Sequence, residues 1–229
     1  MKRILAILLV LGMILTAACS ALAEEMEVTI LSENYLEYEG YSGRKAVYLA
    51  KIQNNTGAGY YVTSGTISLL DADGNEAASN KYFTINGSRY LAPGEISIVS
   101  IETKIPEGVE IKDHKVEIVP IEKYYSGEDY VIEVNETVYD PTNESNPQIA
   151  VAITNTYDKP LAHVTMIYAV EDADGNIYYL GQYSLGQNEL GANSSFIFHM
   201  AMTKELVSYV QENGITLTQV ESYAFAEER

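Results

Sequence analysis

The chain has one cysteine, Cys19, no tryptophan, and only three histidines among its 229 residues. A lone thiol excludes a disulfide within the chain, and no cysteine is left past residue 19 for a metal centre or a nucleophile. The histidines, His114, His163 and His199, show no His-x-His, His-Glu-x-x-His or Ser-His-Asp ordering, which leaves no metal or nucleophile constellation to build. No glycine-rich phosphate loop is present, and no cofactor is expected. Basic residues are also scarce, at 14 against 32 acidic ones. Taking away Lys2 and Arg3 with an N-terminal leader leaves 12 bases and a formal charge of −20. That field repels nucleic acid and anionic head groups, so neither is an expected partner. The acids are dispersed, as on a solvated exterior.

A long hydrophobic run occurs once. Lys2 and Arg3 precede apolar residues from Ile4 to Ala18, too short a run to span a bilayer comfortably, and read as a signal peptide over 1–23. Two endings compete. Ala21-Leu-Ala23 fits ordinary signal peptidase, whereas Leu15-Thr-Ala-Ala-Cys19 resembles a bacterial lipobox that would lipidate Cys19. Either way the expected location is extracytoplasmic, secreted or membrane-anchored through Cys19 alone.

What the chain does have is a repeat. Asn54 leads, 17 residues on, to Asp71-Ala-Asp-Gly-Asn75, and Asn155 leads at the same interval to Asp172-Ala-Asp-Gly-Asn176. The offset is 101 residues, and the apolar alternation Tyr48, Ala50, Ile52 is matched by Ile149, Val151, Ile153. A period of this kind fixes the domain count. We read copy one as 24–125 and copy two as 126–229, with the boundary near Tyr124–Asp129. Each is long enough for its own core.

Within each copy, short apolar runs alternate with Gly, Asn, Asp and Pro. Val47–Ile52, Thr66–Leu70, Lys81–Ile85, Ile96–Ile101 and Lys115–Ile121 read as strands, as do Tyr130–Val134, Gln148–Thr154 and Leu161–Val170. Ala162, Val164, Met166, Tyr168 and Val170 should share one buried face, and Phe196, Phe198, Met200 and Met202 form a second such row. The expected fold is all-β: two tandem immunoglobulin-like β-sandwiches, with one short helix in the second. That helix would be capped by Thr203, packed through Leu206, Val207 and Val210, and ended by Gly214. Each Asp-Ala-Asp-Gly-Asn should close a hairpin, Gly supplying the left-handed conformation. The same oxygens could serve calcium, but an EF-hand needs a longer loop and a closing Glu that neither copy supplies.

Several motifs resemble a known family. Ile67-Ser-Leu-Leu-Asp71 and Tyr168-Ala-Val-Glu-Asp172 resemble the aromatic-x-Leu-Tyr-Asp core of bacterial FxLYD-type domains. Asn54-Asn-Thr-Gly57 and Leu91-Ala-Pro-Gly-Glu95 are similar to turns on either side of that core, while copy two departs with Glu171 and Leu190-Gly-Ala-Asn-Ser194. The resemblance implies an immunoglobulin-like module on an exported bacterial protein and no catalytic residues; fold alone licenses no function.

Tyrosine is the compositional excess, 19 against four phenylalanines. Amphipathic rings suit half-buried strand positions and also anchor recognition surfaces. The candidate binding residues are Tyr35, Tyr38 and Tyr41 in one cluster and Tyr178, Tyr179 and Tyr183 in another. Five Asn-x-Ser/Thr sequons, at Asn54, Asn86, Asn135, Asn143 and Asn193, read as a by-product of polar turns. The expectation is a non-enzymatic exported protein, structural or protein-interacting at the cell envelope, its partner unknown. The alternative is an extracellular receptor that takes a small ligand or glycan on its tyrosines.

Overall fold

A computed structural model describes residues 28–84, 90–122, 129–143 and 147–227. The expected leader over 1–23, with Cys19, and the stretch 123–128 that holds the expected copy boundary lie outside the described residues, as do Ile85 and Asn86. The architecture is all-β with one helix. Copy one supplies β1 (Val28–Gly40), β2 (Gly43–Asn54), β3 (Tyr60–Leu70), β4 (Glu76–Thr84), β5 (Tyr90–Leu91), β6 (Ile96–Lys104) and β7 (Asp113–Glu122). Copy two supplies β8 (Asp129–Asp140), β9 (Gln148–Thr154), β10 (Thr165–Asp172), β11 (Ile177–Ser184), β12 (Ser195–Ala201), α1 (Lys204–Glu212) and β13 (Leu217–Glu227).

The sequence repeat reappears in the hydrogen bonding. The antiparallel set β1-β2-β6 is answered by β8-β9-β12, and β4-β3-β7 by β11-β10-β13. One difference concerns the first strand. β1 pairs with β2 from Val28 onward, whereas β8 pairs through Asp129–Ile132 with β13 and then crosses to β9 at Glu133. This crossing joins the strands of copy two into one six-stranded path, β11-β10-β13-β8-β9-β12.

Asn54 and Asn155 are the two polar hubs, and neither is exposed at all. The amide of Asn54 donates to the carbonyls of Ala58 (2.8 Å) and Leu91 (2.9 Å), and its Oδ1 accepts the Thr56 N–H (2.9 Å). Asn155 repeats the pattern with Lys159 (2.9 Å), Leu190 (3.0 Å) and the Tyr157 N–H (3.0 Å). A buried amide is tolerable only when so satisfied, and here each one ties the loop after a strand to the segment that re-enters the sheet. The same burial removes Asn54 from the usable sequons.

The two cores differ in what covers them. One cluster, including Tyr48, Ile52, Tyr60, Ile67, Leu69 and Ile101, lies between the two sheets of copy one. The other gathers Ile149, Val151, Ile153, Met166, Tyr168 and Phe198 of copy two, and also takes in Leu36, Val47, Leu49 and Ile98 of copy one. Successive residues of β2 therefore serve different cores: Ala46, Tyr48 and Ala50 point into copy one, and Val47 and Leu49 toward copy two. A sheet covered on both faces reads as an unbroken apolar run rather than an alternation, as Ala46-Val-Tyr-Leu-Ala50 does. Each large side chain so buried contributes about 1.5–3 kcal/mol.

The same contact explains two departures from expectation. The Val164–Val170 row is buried as predicted, but Ile167, Ala169 and Glu171 on the opposite face of β10 are buried too. Glu171 meets Lys51 of β2 at 3.5 Å, and Lys51 also pairs with Glu221. In the second row Phe198 and Met202 are buried, whereas Phe196 at the sheet margin is 40% exposed. The helix falls where expected, with Leu206, Val207 and Val210 buried. Thr203 occupies the cap position with extended backbone (ψ 148°), yet its side chain makes no capping bond.

Candidate functional site

Two surfaces stand out, and each arises where the copies depart from one another. The first is a cleft of about 820 Å³ between α1 and the end of the β1–β2 hairpin. Copy one continues β6 with Ile105-Pro-Glu-Gly108, and Gly108 turns at φ 75°. Copy two places α1 at the corresponding point, so the cleft has a helical wall from one copy and a strand wall from the other. Tyr35 and Tyr38 of β1 and Tyr209 of α1 give it aromatic surface; the Tyr38 and Tyr209 rings lie 5.9 Å apart at 50°.

Charge in the cleft is mostly negative. Glu37, Glu39, Glu205 and Glu212 face Arg44 and Lys204. Arg44 is already committed: its guanidinium pairs with Glu37 and donates to the Val109 carbonyl at 2.9 Å. The Tyr35 hydroxyl donates to Glu37 Oε1 at 2.8 Å. Burial, and then that bond, push the Tyr35 hydroxyl well above the usual phenol range. Burial followed by the Glu37 charge raises Tyr209. Burial also raises Tyr38, with Lys45 pulling the other way. All three phenols therefore stay neutral donors across physiological pH.

On the reverse of the cleft the protein binds an ammonium of its own. Lys45 Nζ sits 5.1 Å from the centre of the Tyr38 ring and 3.1 Å from Glu102 Oε2.

The second surface is the margin of copy two. In copy one, β4 lies against β6, and Asn80 Nδ2 donates to the Glu102 carbonyl at 3.0 Å, closing that side. In copy two, β11 and β12 do not close in this way; instead the Tyr183 ring reaches Phe198 edge-on at 5.0 Å. Phe196 packs on Phe198 at 4.9 Å. Tyr183 is 48% exposed and Ile197 55%, and β12 pairs only with β9 among the described residues. Its sequence, Ser195-Phe-Ile-Phe-His-Met-Ala201, carries none of the Lys, Glu or Pro with which proteins blunt an open edge.

The tyrosines singled out by sequence divide among these surfaces. Tyr35 and Tyr38 line the cleft, and Tyr41 stands fully exposed at the hairpin tip. Tyr183 is on the open margin. Tyr178 and Tyr179 are half-buried against the shared core: the Tyr178 hydroxyl donates to Asp172 at 3.3 Å, and Tyr179 packs edge-on against Tyr168 at 5.8 Å. Sequence reasoning missed Tyr209, Glu205 and Glu212, although an insertion in one copy of a repeat was the signal that could have found them.

His163 and His199 are exposed; His199 lies in β12, whereas His163 stands at φ 53° in a bend before β10, which starts at Thr165 rather than at the expected Leu161. His114 is the second residue of β7 and stacks on Tyr35 at 4.2 Å with the rings 7° from parallel. The Asp-Ala-Asp-Gly-Asn segments are hairpin turns. Asp71 Oδ1 accepts the N–H groups of Asp73 and Asn75, both at 2.9 Å, and Asp172 accepts those of Asp174 and Asn176 at the same distances. Gly74 and Gly175 adopt φ 80° and 81°. The Asn75 N–H, with that of Asp73, holds Asp71 below the usual carboxylate range.

No family model matches the chain, and no curated protein matches it. Among solved structures it is similar to the N-terminal CBM22-1-CBM22-2 tandem domain from Paenibacillus barcinonensis Xyn10C, at 8% identity over 88% of this chain and 86% of that one, with a TM-score of 0.14. Procruciferin, an 11S globulin from Brassica napus, is similar at 7% identity over 90% of this chain and 84% of that one, again with a TM-score of 0.14. Likeness at that level carries neither fold nor ligand to this chain.

Proposed function

We propose that this is a non-catalytic exported bacterial protein, two tandem immunoglobulin-like sandwiches of FxLYD type, that acts as a protein-interaction module at the cell envelope. Residues 24–125 and 126–229 form the two modules, and the leader delivers them either free or anchored through Cys19. The observation that supports this reading is the open margin of copy two, where Phe196, Ile197 and Tyr183 stand exposed beside the uncharged edge of β12. An extended segment of a partner can add to such an edge as a strand, with backbone bonds for affinity and alternate side chains for selection. The test is affinity capture from envelope extracts with the full mature chain and with Ile197→Lys, whose thermal unfolding should match the parent. Specific partners should be lost with the variant. An identical captured set from both proteins would remove β12 as the docking edge. Mass spectrometry of the mature N-terminus decides between a lipidated Cys19 and cleavage after Ala23.

A second reading, an extracellular small-ligand receptor, is favoured by the tyrosine-walled cleft between α1 and the β1–β2 hairpin.

A further inference from the structure

We infer that the cleft between α1 and the β1–β2 hairpin binds a small organic ammonium cation; this rests on the small-ligand reading and specifies its ligand class. The argument begins with space. A volume of about 820 Å³ is in the range of ligand sites rather than of packing defects. The walls come from both copies, which the shared core holds together through Leu36, Val47 and Leu49. The site is therefore preorganised, and binding need not order it.

The chemistry of the walls selects for positive charge carried on carbon. Glu37 and Arg44 satisfy each other, which leaves Glu39, Glu205 and Glu212 against Lys204, with no ion pair to any of these three carboxylates among the described residues. An anion entering would meet that excess. A bare metal ion would find carboxylates but also three aromatic rings that offer it little. An ammonium ion uses both: its charge faces the carboxylates, and its hydrocarbon surface lies on the negative faces of Tyr38 and Tyr209. The protein already makes this pairing internally, holding Lys45 Nζ between the Tyr38 ring and Glu102. The neutral phenol hydroxyl of Tyr209 can donate to or accept from a polar tail on the same ligand, and that of Tyr35, whose proton goes to Glu37, can accept.

The test is calorimetric titration of the full mature chain with choline and, in parallel, with 3,3-dimethylbutan-1-ol, its uncharged isostere, at constant ionic strength. Saturable one-to-one binding of choline without measurable binding of the isostere is expected. Glu205→Gln/Glu212→Gln, at accessible positions of α1, should weaken choline binding roughly tenfold, and Tyr209→Leu by a similar factor. Glu133→Gln/Glu189→Gln makes the same change in net charge at exposed positions near the Asn155 end of copy two, opposite the end that leads into α1, and should leave affinity unchanged. Equal binding of both probes would overturn the cation assignment and leave a small-molecule site standing. No binding of either would overturn the receptor reading as well. Equal weakening by the two Glu→Gln pairs would reduce the effect to the overall field of an acidic protein, which also overturns the inference.

Discussion

The two copies share a hydrogen-bonded skeleton and differ in what their outer faces meet. On β2 the outward positions are Leu49 and Lys51, pressed against copy two; 101 residues later, on β9, they are Ala150 and Ala152, both only half-covered. On the margins, copy one closes β4 against β6, whereas copy two leaves β12 open. The turns and the asparagine hubs barely differ between copies. Duplication has kept the residues that satisfy backbone groups and has left the outward surfaces to diverge into one buried contact, one cleft and one open edge.

Leu49→Ala offers the strongest way to break that comparison. It removes a fully packed side chain from the shared core and should cost about 3 kcal/mol in urea unfolding, while Ala150→Leu, at the equivalent position, should stay within about 0.5 kcal/mol of the parent. Similar costs at both positions would mean that β2 and β9 do not differ in burial. Next in size, Asn54→Ala and Asn155→Ala should each cost about 2–3 kcal/mol, because each leaves buried carbonyls and an N–H without partners. A hub in one copy that could be removed without cost would end the claim that the two are equivalent.

The smallest effect concerns Glu171, whose counterpart in copy one is Leu70. Burial, and then the neighbouring Glu221, push its carboxyl above the usual range, while Lys51 pulls the other way. A raised acid is bound to its proton more firmly in the folded state, so its contribution to stability declines as pH rises through the folded value. Glu221 is shifted oppositely: burial would raise it, but bonds from Lys51 and Tyr223 more than offset that and lower it. Glu171→Gln should therefore flatten the pH dependence of the urea midpoint just above the ordinary carboxylate range and should not destabilise the protein at neutral pH. A variant that loses stability at neutral pH would show that Lys51 needs both acids.

The strands and turns were legible because period-two alternation and an Asp-x-Asp-Gly turn are local properties. Asn54 and Asn155 were visible as landmarks of the repeat, but nothing local to a polar residue in a turn tells that its amide is fully enclosed. The double duty of β2 was readable in principle from Ala46-Val-Tyr-Leu-Ala50, an apolar run with no polar interruption. The identity of its second cover was not, since that depends on β10, β11 and β13 far along the chain. For the same reason Tyr35 and Tyr38 could be named as candidates while Tyr209, on the other wall of the cleft, could not.

The two-sided sheet also orders the chain's emergence in time. A polypeptide that has advanced only as far as β7 can complete the interior of its first half, yet Val47, Leu49 and Ile98 remain bare until β10 and β11 arrive. We expect the first half alone to be sticky and the whole to become soluble in a single late step.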